Sequence, residues 1–312
     1  MITLEDVQAA ASRIAPFVRE TPTIEVKAVS EPVTDARLAL KLESLQVSGS
    51  FKARGATNKL LSTPRERLQR GIVTASGGNH GLAVARAAKL AGVPATVFVT
   101  TSATPEKREK LKRWGATVEV VGAIWNETNE AALAFAEQTG AAYFHPFADP
   151  AVMAGQGTAG LELIRALPEM DTLLVAIGGG GLICGLSVAL KALKPSIRII
   201  GIEPEGSPTL KASLDAGRVV RLPEVTSQVA TMSCAETDPR VFDIVREHVD
   251  DIVLVSDQAM LEASRWLWFE LGLAADLSGA AAIAALRSKH VQIGSDAVVA
   301  ALVCGAGPEG VL

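Results

Sequence analysis

Leu173-Leu174-Val175-Ala176-Ile177-Gly178-Gly179-Gly180-Gly181-Leu182 runs from five apolar residues through four glycines into a second apolar segment. An apolar run of that length bounded by glycines reads as a strand buried on both faces, and 182–193 reads as the helix that follows it. Small residues at such a junction can turn their N–H groups onto a phosphate, with the helix dipole adding favourable charge. A loop opened only for close packing is the competing explanation. The run is neither a Walker loop, which ends in Gly-Lys-Ser/Thr, nor the spaced dinucleotide fingerprint.

The same alternation extends in both directions. Upstream, Ile72-Val73-Thr74, Thr96-Val97-Phe98-Val99 and Thr117-Val118-Glu119-Val120-Val121 are interleaved with three helical patterns. These cover 79–90, a segment opened by Thr104 as N-cap with Pro105 behind it, and 126–138. Downstream, strands are predicted at 197–202, 252–255 and 297–303, with helices at 258–271 and 277–288 between the last two. A further helix is expected over 153–167. Short apolar strands alternating with helices predict two parallel-sheet α/β domains. The pattern puts a boundary near 147, and the division expected is a large domain, 1–70 with 148–312, and a small mobile one, 71–147.

A second glycine cluster, Ser76-Gly77-Gly78-Asn79-His80-Gly81, also sits between a strand and a helix. Open parallel sheets bind ligands at that junction, and a helix N-terminus with free amides suits a carboxylate. A tight turn needing glycine only for its backbone angles is the plainer reading. Ser48-Gly49-Ser50-Phe51-Lys52-Ala53-Arg54-Gly55 puts one lysine behind an aromatic and small residues, after the strand-like 38–43. Lys52 is either a solvated turn lysine or an amine desolvated enough to form a Schiff base with a carbonyl. Arg54 reads as a structural ion-pair partner.

Composition narrows the classes. The 312 residues are 48% hydrophobic, enough to bury a large core, and the formal net charge of −4 leaves no basic footprint for nucleic acid or an anionic membrane. The N-terminal residues lack the pattern of a signal peptide and no apolar stretch is long enough to span a bilayer, so a cytoplasmic location is expected. Cys184, Cys234 and Cys304 are odd in number and far apart, and the four histidines are scattered, so neither a disulfide framework nor a metal site is expected.

A candidate Schiff-base lysine, a phosphate cup without nucleotide features and a separate anion-binding turn together describe a site for pyridoxal phosphate and an amino acid. Lys41-Leu42-Glu43, Ser50-Phe51-Lys52-Ala53-Arg54-Gly55, Ser76-Gly77-Gly78-Asn79-His80, Gly155-Gln156-Gly157-Thr158, the tetraglycine loop, Glu203-Pro204 and Cys304-Gly305 follow in order. In that order the chain resembles the fold type II pyridoxal-phosphate enzymes, the tryptophan synthase β-like fold, and within them the serine/threonine dehydratase and serine racemase group.

The resemblance implies that Lys52 holds the cofactor covalently and later moves the substrate α-proton. It implies that Phe51 lies beside the cofactor and that Asn79 hydrogen-bonds the ring hydroxyl. Gly178, Gly179, Gly180, Gly181 and Leu182 would hold the phosphate, and Cys304 would face the pyridine nitrogen where the group usually has a serine. Ser76, Gly77, Gly78, Asn79 and His80 would receive the substrate carboxylate, with Cys234 on the wall facing the substrate. A homodimer and no metal are also expected.

Departures from the group sharpen the expected activity. Racemases carry a serine proton donor where this chain has Gly77, and Thr209 stands where cation-binding relatives have a carboxylate. Asp276 replaces a glutamate near the pyridine ring. No residues are expected for a regulatory domain beyond Leu312. The expected reaction is β-elimination from L-threonine or L-serine, giving a 2-oxo acid and ammonia. The alternatives are a dehydratase for 3-hydroxyaspartate or a hydroxyectoine-derived substrate, a serine racemase, a β-replacement synthase, or a non-catalytic cofactor carrier.

Overall fold

The computed structural model describes residues 1–123 and 125–311. Ile124, and Leu312 at the end of the expected large domain, lie outside the described residues. The chain opens with helix α1 (Leu4–Ile14), strands β1 (Thr23–Glu25) and β2 (Arg37–Leu42), and two short 3-10 turns over 43–45 and 47–49. Helices α2 (Lys52–Ser62) and α3 (Arg65–Leu68) follow. Then come β3 (Ile72–Ala75), α4 (Asn79–Ala91), β4 (Ala95–Val99), α5 (Pro105–Arg113), β5 (Thr117–Val120), α6 (Trp125–Thr139) and β6 (Ala142–Tyr143). The rest is α7 (Pro150–Ala166), β7 (Thr172–Ala176), α8 (Gly181–Leu193), β8 (Arg198–Pro204), α9 (Thr209–Ala216), α10 (Pro239–His248), β9 (Asp251–Val255), α11 (Asp257–Leu271), α12 (Leu277–Arg287) and β10 (Val298–Val303).

Among these elements there are two sheets. The six-stranded one has the order β1-β2-β10-β7-β8-β9, and the four-stranded one β5-β4-β3-β6. Every pairing is parallel except β1 with β2. Strand β7 is buried along its whole length, as its unbroken apolar run requires with helices on both faces. The edge strand β5 is largely exposed.

Two parts of the architecture position the site. Strand β10, the last in sequence, lies between β2 and β7, so the C-terminal ends of all three open on one crevice. Helix α2 packs against α4 and α7, and its Ala56 and Leu60 share a buried cluster with Ile72 and Val97 of the four-stranded sheet. α2 therefore lies between the two sheets.

Helix α2 is held there by a buried charge network. The Arg54 guanidinium, fully inaccessible, donates to both oxygens of Glu43 at 2.7 Å and to both of Glu162 at 2.6 and 2.8 Å, while Lys41 Nζ donates to Glu162 at 2.6 Å. Burial works against the charge on Arg54, but Glu43 and Glu162 overcome it and raise its pKa above the usual arginine range. A charge buried this deeply persists only when paired and fully hydrogen-bonded.

Local differences from expectation have local causes. Helix α2 begins at Lys52 itself, and α7 begins at Pro150 and not at 153, because the Asp149 side chain accepts from the amides of Ala151 and Val152. Strand β1 is not among the strands the pattern predicts, and it forms through its antiparallel pairing with β2. Helices α9 and α10 were not anticipated; α10 is short, with Asp238 as N-cap and Pro239 behind it.

Candidate active site

Lys52 lies at the first position of α2, after the two 3-10 turns that follow β2, and is partly buried. The segment before it is tied to the end of β10: Phe51 N–H donates to Cys304 O at 3.2 Å, and Ser50 pairs with Gly305 in an isolated bridge. Lys52 Nζ donates to Pro146 O at 2.7 Å and stands 5.1 Å from the centre of the Phe51 ring. Burial pushes the Lys52 ammonium down to about 8, with the Cys304 and Cys234 thiols opposing the shift. Desolvation disfavours the charged form, so the amine gives up its proton more than two pH units below an ordinary lysine and a minor neutral fraction is already present near neutral pH.

The residue after Pro146 joins this amine to the tetraglycine loop. A Cβ on Gly179 would stand 2.2 Å from the Phe147 ring, and one on Gly181 would stand 2.6 Å from Phe147 O. Gly180 has φ +94 and is bounded by Val241 of α10. Close packing therefore accounts for glycine at these positions. It does not account for the amides: among the described residues, the N–H groups of Gly178, Gly179, Gly180, Gly181 and Leu182 donate to no protein acceptor. Thr237 Oγ1 donates to Gly179 O at 3.3 Å and steadies the loop from the α10 side.

At the C-terminal end of β3, Ser76 N–H donates to Phe98 O, and Gly78 N–H donates to Ser76 Oγ at 3.4 Å. Among the described residues, the amides of Gly77, Asn79 and His80 have no protein acceptor. His80 itself turns inward. Its ring is buried with Nε2 3.1 Å from Phe144 O, and burial together with Lys52 pushes its pKa down to about 3. Its Nδ1 is buried and, among the described residues, has no hydrogen-bond partner. His145 is likewise held neutral, pushed down to about 4 by burial against the pull of Asp238, and its Nδ1 accepts from Phe147 and Ala148.

Beyond β10, Cys304 Sγ donates to Ser278 Oγ at 3.5 Å, and Ser278 Oγ donates to Asp276 Oδ1 at 2.7 Å. Asp276 Oδ2 accepts from Asn79 Nδ2 at 3.0 Å. Burial pushes the Asp276 carboxyl up, and the Ser278, Gly279 and Asn79 donors pull it back. The Cys304 thiol is pushed up by burial and stays protonated. Cys234, pushed up to about 11 by burial, sits within electrostatic reach of Lys52 on the segment between α9 and α10.

The structure thus gathers Phe51, Lys52, the tetraglycine loop and Cys304 around one crevice, and Asn79 reaches it through Asp276. The sequence reading did not include Ser278, His145, Pro146, Phe147 or Thr237. Their signal was present in His145-Pro146-Phe147 at the end of a strand, but only the fold puts that strand end beside Lys52. Among the described residues, no group of three or more His, Cys, Asp and Glu side chains is placed to hold a metal ion.

A partly buried amine that can lose its proton and a row of unpartnered amides at a helix N-terminus fit the aldehyde and phosphate of pyridoxal phosphate. The pyridoxal-phosphate dependent enzyme family matches residues 14–305. An L-threonine ammonia-lyase of Thermotoga maritima is 39% identical over 93% of this chain and 72% of its own length. Maize serine racemase superposes with a TM-score of 0.93 at 34% identity, covering 98% of this chain and 93% of that one. The processed form of threonine deaminase isoform 2 from Solanum lycopersicum superposes with a TM-score of 0.90 at 31% identity, covering 97% and 88%. The chain belongs to the pyridoxal-phosphate dependent enzymes.

Proposed function

We propose that the protein is a lyase that converts an L-β-hydroxy amino acid, L-threonine or L-serine, to a 2-oxo acid and ammonia. The observation that carries this reading is the Lys52 amine, pushed down to about 8 by burial and placed beside a loop of unpartnered amides. A general base works best with a pKa near the operating pH. The L-threonine ammonia-lyase relative supports the same assignment.

In this reading the amides of Gly178 to Leu182 hold the cofactor phosphate, and those of Gly77, Asn79 and His80 with the Ser76 hydroxyl hold the substrate carboxylate. Bound pyridoxal phosphate supplies an electron-withdrawing ring that stabilises negative charge at the substrate α-carbon. Lys52 Nζ takes the α-proton. The electron pair of that bond forms the α–β double bond as the β C–O bond breaks, and the hydroxide leaves as water after gaining a proton. Hydrolysis of the resulting unsaturated amine releases the 2-oxo acid and ammonia.

Gly77 supports elimination over racemisation, because it brings no side-chain proton to the substrate. The reading also carries a small domain, 71–147, closing on a large one, 1–70 with 148–312, in a cytoplasmic homodimer. Among the described residues, no helix is long and apolar enough to cross a membrane.

The test is release of ammonia and 2-oxo acid from cofactor-loaded protein across L-threonine, L-serine, D-serine, phenylserine and both 3-hydroxyaspartate diastereomers. Turnover of L-threonine or L-serine above the others is expected. No release from any of them, with racemisation or thiol incorporation instead, would overturn the lyase reading.

A further inference from the structure

Asp276 is buried among glycines. A Cβ on Gly305 would stand 2.4 Å from its Oδ2 and 3.0 Å from Asn79 Nδ2, and one on Gly307 would stand 2.7 Å from its Cβ. Both oxygens are engaged: Oδ1 accepts from Gly279 N–H at 2.6 Å and Ser278 Oγ at 2.7 Å, and Oδ2 accepts from Asn79 Nδ2 at 3.0 Å. Every neighbour in this set donates. With both of its oxygens accepting, Asp276 takes the nitrogen of the Asn79 amide, and the amide oxygen is left on the other side.

We propose that Asp276 is a positioning residue that locks the Asn79 amide, so that the chain presents Asn79 Oδ1, an acceptor, to the hydroxyl of the cofactor ring. The proposal rests on the placing of the ring beside Asn79. An acceptor there keeps the ring hydroxyl protonated, whereas a donor would favour its anion. The same carboxylate draws the Ser278 proton, and Ser278 Oγ draws the Cys304 thiol proton, so no S–H is directed at the ring nitrogen. A single buried carboxyl group thereby orients both Asn79 and, through Ser278, Cys304.

The backbone makes the lock testable. Gly279 N–H cannot rotate away, so in D276N the new amide must keep its oxygen on Gly279 and turn its nitrogen toward Asn79. Asn79 must then invert and present Nδ2 to the ring. The readout is the absorbance of the bound cofactor without substrate, where the protonated hydroxyl favours a near-ultraviolet band and its anion a visible one. D276N should shift absorbance into the visible band, and D276E should restore the original balance. An unchanged spectrum in folded, cofactor-loaded D276N overturns the proposal.

If D276N does not fold, N79A decides by sign. Loss of an acceptor raises the visible share; a fall shows that Asn79 was donating and overturns the lock. Borohydride reduction followed by peptide mass analysis of the unaltered protein tests the underlying site separately. Trapping on Lys52 with no spectral response in the variants sinks the lock alone, whereas no trapping on Lys52 sinks both.

Discussion

Lys52 Nζ is hydrogen-bonded to Pro146 O at 2.7 Å, which holds the amine of α2 against the segment that packs on the tetraglycine loop. The amine is thus placed by the main chain of a neighbouring segment, and a carbonyl acceptor can release it without leaving an unpaired charge. Replacing Lys52 with Ala removes both the covalent anchor and the proposed base. Turnover should fall on the order of 10³-fold or more, with circular dichroism unchanged. Wild-type rates in folded K52A would refute its assigned role.

The lowered pKa of Lys52 predicts a pH dependence for cofactor uptake. Below about 8 the amine is protonated and cannot attack the aldehyde; above it the amine is neutral. The uptake rate should rise with pH and level off near 8, instead of climbing toward the ordinary lysine value of roughly 10.4. In the cofactor-free protein the unfolded chain binds the extra proton between those two values. Stability should therefore increase with pH across that window. Absorbance-monitored uptake and denaturant titrations at several pH values check both.

Arg54 joins three segments through Glu43 and Glu162 and is fully buried. Arg54→Ala leaves the inaccessible Glu43 without its partner, and a cost of about 3–5 kcal/mol is expected from urea unfolding. Replacing Arg54 and Glu43 together with Met and Gln should recover part of that loss. A double variant no more stable than R54A would show that the damage came from lost packing.

Two glycines separate packing from chemistry. A Cβ on Gly155 would stand 2.7 Å from Gly55 Cα across the α2–α7 contact, so G155A should cost about 1–3 kcal/mol through overpacking. At Gly77 the atoms nearest to an added Cβ belong to Val99 and Ala103, at ordinary distances of 3.5 and 3.6 Å. G77S should therefore fold normally, within about 0.5 kcal/mol of wild type. By adding a hydroxyl to the proposed carboxylate loop it should also raise α-proton exchange relative to ammonia release, measured by deuterium incorporation.

Much of the fold was legible because it is periodic. The apolar run at 173–177 could be little other than a strand buried on both faces, and strands spaced by amphipathic helices imply parallel sheets. Element ends were harder. The start of α2 at Lys52 depends on contacts of the preceding turns with the end of β10, which local sequence does not encode. Strand β1 has three residues and exists through β2.

Sequence alone determined the alternation of strands and helices, the placement of glycine clusters at strand-to-helix junctions, and a lysine in a context suited to covalent chemistry, because these depend on spacing and residue type within a short window. Tertiary structure decided which strand ends share a crevice, since β10 enters the sheet between β2 and β7 from the far end of the chain. It also decided the charge states. The same His80 that reads as a ligand candidate turns inward, and Lys52 loses much of its affinity for a proton, because desolvation depends on atoms remote in sequence. The pairing of Asn79 with Asp276, separated by 197 positions, belongs to that second class.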